Sequence, residues 1–263
     1  MSFDLEEFDV PREHGVDISL AEGMAVSKYG AEIILDILKA NGVCGTFFCT
    51  ANFAMNAPDI MARIKSEGHE IACHGCDHWR PEPSDVSESK RIIEAIAGVE
   101  CKGYRQPRMF PVSDEAIRGN GYLYNSSLNP AFIPGRYMHI FTPRTSFMRE
   151  GVLQIPVSVT PWFRVPLFWL SLHNFPLHLY CRLARRVLRH DGCFVTYFHP
   201  WEFYELSAHP EYRIPFIIKK HSGEQLKSRL DGLIKYLKSI GESFGTFAPF
   251  AEAKFRELNT TEI

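Results

Sequence analysis

Gly68-His69-Glu70-Ile71-Ala72-Cys73-His74-Gly75-Cys76-Asp77-His78 is the stretch that decides how this chain is read. Glu70 to Cys73 is short and largely apolar and follows a glycine, which predicts a buried strand. His74 stands at the carboxyl end of that strand, and His78 follows four residues later. Histidines at that spacing share one face of a helical turn. Neutral imidazoles so placed can bind one divalent metal ion. Taken alone, such a pair is more often two solvated or capping histidines than a metal site, because short motifs match by chance.

Three further segments bring polar residues to the ends of predicted strands. Ser2-Phe3-Asp4-Leu5-Glu6-Glu7 runs from a short apolar strand into carboxylates. Strand side chains alternate, so Asp4 and Glu6 point the same way, one as a metal ligand and one as a base. A bulge after Asp4 would bring Glu7 forward instead. In Gly103-Tyr104-Arg105-Gln106-Pro107, Arg105 can hold a carboxylate through two parallel hydrogen bonds, and Pro107 stiffens the turn. Val195-Thr196-Tyr197-Phe198-His199-Pro200-Trp201-Glu202 reads as a buried strand delivering His199 to its carboxyl end. The plainer readings are an acidic strand end, a surface arginine and a histidine packed under Trp201.

Strands and helices alternate along the chain. Apolar spacing predicts helices over 28–40, 58–66, 87–97, 114–119 and 225–240, and strands over 2–5, 43–49, 70–73, 102–105, 122–126, 153–157 and 194–199. Residues 244–247 would close the sheet, and the tail after Phe255 would fray. Repeated βα units with every candidate residue near a strand's carboxyl end fit the active face of a barrel.

In this order, from about residue 2 to residue 202, the segments resemble the polysaccharide deacetylases, carbohydrate esterase family 4, with its NodB homology domain. That family opens with Thr-Phe-Asp-Asp or an Asp-x-Asp variant. Here Asp4-Leu5-Glu6 resembles the variant with a longer second side chain. The His-Ser/Thr-x-x-His motif is matched by His74 and His78, with Gly75 in the hydroxyl position and one loop hydrogen bond lost. Arg-x-Pro-aromatic is matched by Arg105 and Pro107, with Arg108 in the aromatic place and Phe110 nearby. Leu-x-His is matched loosely by Tyr197-Phe198-His199. The aspartate that orients the last histidine has Asn125 and Glu202 as candidate counterparts.

The resemblance implies an α/β fold, a distorted and incomplete (β/α) barrel, as a single domain over residues 1–263. It implies one divalent ion, zinc ahead of cobalt, nickel, iron or manganese, held by Glu6, His74 and His78. Asp4 is the implied base, positioned and kept ionised by Arg105, and His199 the implied acid. A backbone N–H near Arg105 or Gln106 would help hold the oxyanion. Tyr104, Pro107, Asn125 and Trp201 are the expected substrate contacts, and the substrate is an acetylated sugar. Two other readings stay open: an allantoinase-like opening of a cyclic amide, and a non-catalytic carbohydrate-binding protein on the same fold.

Composition agrees with such an enzyme. The chain has 263 residues, 45% of them hydrophobic, enough for a full core. A net charge of −2 and a pI near 6.6 argue against nucleic acid as a partner. The seven cysteines are scattered, and Cys73-His74-Gly75-Cys76 is a Cys-x-x-Cys that also admits a thiol metal site or redox pair. Thiols packed as small hydrophobes suggest a reducing compartment. No basic region followed by an apolar run opens the chain, and no stretch is long enough to span a bilayer. The expectation is a cytoplasmic protein, associated with the inner face of the membrane, acting on a nucleotide- or lipid-linked sugar.

Two regions depart from a plain barrel. Residues 129–143, rich in Pro, Gly and aromatics, predict a long loop over the site. Residues 161–189 begin with Trp162, Phe163, Phe168 and Trp169 and then turn basic at Arg182, Arg185, Arg186 and Arg189. They read as a buried connection followed by an amphipathic helix, or as an interfacial segment making peripheral membrane contact. The same surface could serve a homo-oligomer.

Overall fold

The computed structural model describes residues 1–133 and 137–260. Among the described residues there are ten short strands: β1 (Ser2–Leu5), β2 (Thr46–Cys49), β3 (Glu70–Cys73), β4 (Gly103–Tyr104), β5 (Tyr124–Asn125), β6 (Phe132–Ile133), β7 (Tyr137–Met138), β8 (Phe147–Arg149), β9 (Val152–Gln154) and β10 (Tyr197–Phe198). Eight of them form one sheet in the order β10-β1-β2-β3-β4-β5-β9-β8, while β6 and β7 pair apart. Every neighbouring pair in the large sheet is parallel except β8 with β9. Curled and flanked by helices, it is the half-barrel expected of the NodB-type (β/α) fold. β1 and β2 are buried along their full length, as strands covered on both faces must be.

The helix Leu20–Asn41 is longer than its apolar stripe suggested because both ends are capped. The Ser19 side chain accepts from the backbone N–H of Glu22, and Gly42 closes the other end at φ 61°. Gly30 lies where this helix meets the turn after β10. A Cβ there would stand 1.8 Å from the carbonyl oxygen of Pro200. Only glycine lets the helix backbone approach that closely, and the approach fixes the turn that carries His199, Trp201 and Glu202.

Residues 244–247 do not close the sheet. Phe247 instead opens a helix, Phe247–Thr260, so the expected frayed tail is helical as far as Thr260; residues 261–263 lie outside the described ones. The physical reason is a ready-made cap. Thr46 Oγ1 accepts from Phe247 N–H and Glu70 Oε2 from Ala248 N–H, both at 2.9 Å, at the amino ends of β2 and β3. These bonds satisfy donors that a helix start otherwise leaves unpaired.

Residues 161–189 divide. Leu167, Leu172, Tyr180, Cys181, Ala184 and Val187 are buried, and the helix Leu177–Asp191 turns its arginines outward. This is the amphipathic-helix reading. The Trp162-Phe163 turn stays exposed. The long loop expected over 129–143 carries β6 and β7; residues 134–136 lie outside the described ones.

Candidate active site

Parallel strands put their carboxyl ends on one side, and that edge gathers the candidates. Asp4 ends β1 with Glu6 just beyond; His74 follows β3, Arg105 follows β4 and His199 follows β10. Alternation along β1 leaves Leu5 in the core and turns Asp4 and Glu6 to the cleft. Glu7 lies off to the side, where its Oε2 accepts from Thr50 Oγ1 at 2.8 Å and burial raises its pKa. The cleft has a volume of about 480 Å³ and is lined by Asp4, Glu6, His74, His78 and His199.

Glu6, His74 and His78 form a three-ligand cluster. Glu6 Oε2 lies 3.3 Å from His74 Nε2 and 3.1 Å from His78 Nε2. The tautomers follow from the outer partners. His74 Nδ1 donates to the carbonyl of Arg105 at 2.8 Å, and His78 Nδ1 to Asp9 Oδ2 at 2.8 Å. In the neutral rings both Nε2 lone pairs then face a carboxylate oxygen. Glu6 Oε2 and His74 Nε2 are buried with no hydrogen-bond partner. Three converging lone pairs in a buried site repel one another unless a cation sits among them. The donor set fits a divalent metal of the zinc type.

The pair is not on a helical turn, as its spacing suggested. Residues 74–78 are irregular, and Gly75 turns the chain at φ 72°. A Cβ on Gly75 would meet Pro107 Cγ at 3.0 Å. The hydroxyl residue expected at this place has no room, and the two imidazoles still end 5.8 Å apart, nearly parallel.

Arg105 is wholly buried. Nη1 pairs with Asp4 Oδ1, Nη2 donates to Ser2 Oγ and Ser126 Oγ at 3.0 Å, and Nε donates to the Ser126 carbonyl at 3.1 Å. Its guanidinium carbon stands 4.0 Å from the Phe48 ring centre. An arginine can be buried only when its donors are engaged in this way. Asp4 Oδ2 faces His199 Nε2 across 4.0 Å.

His199 is oriented by Glu202, whose Oε1 lies 2.8 Å from Nδ1. Glu202 Oε2 is held in turn by His173 Nε2 at 2.8 Å. The opposing charges of His173 and His199 outweigh burial and lower the Glu202 pKa. Burial works against a charge on His199, but Glu6, Glu202 and Asp4 outweigh it and raise its pKa. His78 behaves likewise and is pushed up to about 9, burial being outweighed by Glu6 and Asp9. The same histidines hold the buried Glu6 carboxyl well below its usual range.

Residues 28–114 match the family model for polysaccharide deacetylase. The solved structure of a putative polysaccharide deacetylase from Mycobacterium smegmatis superposes with a TM-score of 0.66, covering 98% of this chain and 90% of that one at 21% identity. Part of the chain thus matches the polysaccharide deacetylase model, and the whole of it shares the fold. It is 42% identical over 45 residues to a peptidoglycan-N-acetylmuramic acid deacetylase of Bacillus subtilis, covering 17% of each chain. It is 36% identical over 58 residues to a chitooligosaccharide deacetylase of a Bradyrhizobium strain, covering 21% of this chain and 26% of that one. The matched segments thus span a small part of these curated relatives.

Against that family pattern, the remaining expected contacts divide. Tyr104 does not reach the cleft: it is fully buried in the core beside Tyr122, and its hydroxyl bonds Gln106 Oε1 at 2.9 Å. Strand alternation explains this, since Tyr104 and Arg105 point to opposite sides of the sheet. Trp201 lines the cleft but is nearly wholly buried. Its ring stacks on His199 at 5.0 Å, and its indole N–H donates to Glu6 Oε1 at 3.1 Å. It braces His199 and Glu6 and offers no open face to a sugar. Pro107 packs against Gly75. Asn125 does not orient His199: its Oδ1 accepts from Ser127, and it lines a neighbouring cavity of about 570 Å³. The backbone N–H groups of Arg105 and Gln106 are already given to the Cys73 carbonyl, at 2.9 Å, and to Ser127 Oγ, at 2.8 Å, so neither is free for an oxyanion.

Sequence reasoning gave no role to Asp9 or His173. Both lie off the strand ends and reach the site only through tertiary contact. The carboxylate run that ends in Asp9 was the only hint of the first.

Proposed function

We propose that this protein is a metal-dependent deacetylase that hydrolyses the N-acetyl amide of an acetamido sugar. The observation that carries the reading is the convergence of unpartnered Glu6 Oε2 and His74 Nε2 with His78 Nε2 beside the Asp4–Arg105 pair. A divalent ion, zinc first among the candidates, would be held by Glu6, His74 and His78 and would supply Lewis acidity to water and to the amide carbonyl. Asp4, held in place by Arg105, accepts the proton of the attacking water through Oδ2. His199, kept in one tautomer by Glu202, gives a proton to the nitrogen as the C–N bond breaks. Acetate and a free amine leave, and water supplies the added oxygen and hydrogens. This full set of base, acid and ligands favours hydrolysis of an acetyl amide over cyclic-amide opening or sugar binding alone.

The neighbouring cavity lined by Asn125 and Asn129 supports a substrate extending beyond the reacting sugar. We read residues 1–263 as one domain. Among the described residues no helix is long and apolar enough to cross a membrane. All seven cysteines are free thiols, which supports a cytoplasmic protein.

Elemental analysis of wild type, His74→Ala and His78→Ala, with acetate release from N-acetylated sugars measured alongside, tests this reading. The expected result is about one divalent ion per chain in the wild type, lost in both variants together with acetate release. A metal-free wild type that releases no acetate after zinc, cobalt or nickel is added rejects it.

A further inference from the structure

Several large apolar side chains that the reaction does not use are exposed. Phe141 is 93% exposed, Phe163 81%, Trp162 73% and Phe216 70%. Scattered exposed apolar residues are ordinary, but a group of large aromatics at loop tips marks a binding surface.

These tips belong to one built surface. Arg164 Nη1 donates to the carbonyls of Thr142, at 2.6 Å, and Pro130, at 3.3 Å, and the Arg164 carbonyl accepts from Phe132 N–H at 3.2 Å. The Phe141 loop and the Trp162-Phe163 turn are thereby tied together. Arg144, from the first loop, pairs with Asp191 at 3.0 Å, the last residue of the helix Leu177–Asp191. That helix exposes Arg182, Arg185, Arg186 and Arg189. Among the described residues no carboxylate pairs with these four. The face is continuous with the site: His139, two residues before Phe141, lines the cleft, and so do Phe110 and Ile217, both half-exposed.

We propose that this face docks on an anionic lipid bilayer, with Phe141, Trp162 and Phe163 entering the interfacial region and the four arginines meeting lipid phosphates. The occupant follows from charge. Aromatic tips beside an unpaired basic helix complement a surface that is apolar within and negative at its boundary. A second copy of the chain complements it poorly, because a two-fold contact would set the same arginines against one another. A surface docked there favours a sugar carried on a lipid as the substrate. Bilayer docking stands without the deacetylase reading, whereas the lipid-carried substrate rests on it.

Flotation with vesicles of phosphatidylcholine alone, or with about a third phosphatidylglycerol, tests the docking separately from acetate release. Wild type is expected to float with the anionic vesicles and about tenfold less with the neutral ones. The variant Phe141→Ala/Trp162→Ala/Phe163→Ala should stay at the bottom while melting at the wild-type temperature, since these side chains lie outside the core. Arg185→Glu/Arg186→Glu/Arg189→Glu should lose the preference for anionic lipid. Brominated lipids should quench wild-type tryptophan fluorescence and leave Trp162→Phe unquenched. A wild type that remains at the bottom, or a triple alanine variant that floats as well as wild type, overturns the proposal. So does a wild-type dimer that the alanine variant dissolves without any flotation, since a second copy would then cover the face.

Discussion

Glu202 Oε1 accepts both the backbone N–H of His199, at 2.5 Å, and its ring at Nδ1, at 2.8 Å, so one carboxylate sets the position and the tautomer of the histidine together. The other oxygen, gripped by His173, prevents Glu202 from swinging away.

The charge on Glu202 helps raise the His199 pKa, after the larger effect of Glu6. An acid must be protonated to act, so activity should fall as pH rises through that raised value. Glu202→Gln keeps the shape and removes the charge. Its pH–rate profile should lose activity at lower pH on the basic side, with kcat reduced roughly 10–100-fold. A basic limb that stays in place would rule out this role for Glu202.

His78 yields a prediction for the metal-free protein. Its pKa is raised from 6.5 to about 9, with Glu6 and Asp9 outweighing burial. A raised histidine contributes stability that is fully present below pH 6.5 and is lost as pH climbs through about 9. Melting temperature after chelation should therefore decline over that window. In Asp9→Asn the decline should be shallower, and an identical slope would count against the His78 assignment.

Arg105 and Asp4 form a buried pair, and breaking one side leaves an uncompensated charge. Arg105→Met should cost about 3–5 kcal/mol in denaturant unfolding. Adding Asp4→Asn should recover part of that loss, since neighbouring residues couple. Strict additivity in the double variant would mean that the pair is not energetically linked.

Trp201 gives its indole N–H to Glu6 Oε1, leaving Oε2 directed at the two histidines. Trp201→Phe should weaken metal binding roughly 10–100-fold with little change in fold. Competition with a chromophoric chelator measures this, and wild-type affinity in the variant would show that the indole only fills space.

Local signals explain how much of this was readable beforehand. β3 and the helices Pro58–Ser66 and Asp114–Gly119 lie where apolar spacing put them, because each is bounded by its own glycine, proline or capping residue, and β1 does so because carboxylates end its apolar run. The cluster of Asp4, Glu6, His74, His78, Arg105 and His199 was legible because a parallel sheet delivers all strand ends to one edge. The contacts between elements were not. His173 meets Glu202 from 29 residues away, and no spacing marks that encounter. Tyr104 reads as an aromatic beside the site until the pleat turns it inward. Residues 244–247 have strand-like apolar character, yet Thr46 and Glu70 offer a helix cap that only the folded sheet assembles.

The open sheet places the two parts of the cluster on strands held unequally. β1 and β3 are paired on both sides, so Glu6 and His74 follow interior strands, whereas β10, which leads into His199, is an edge paired with β1 alone. What steadies His199 is the turn lodged against Gly30 and the grip of Glu202. A small shift of that turn would move His199 while leaving the Glu6, His74 and His78 cluster intact. His199 is thus mounted like an adjustable arm beside a fixed anvil, and sequence drift in the long helix can reset one without disturbing the other.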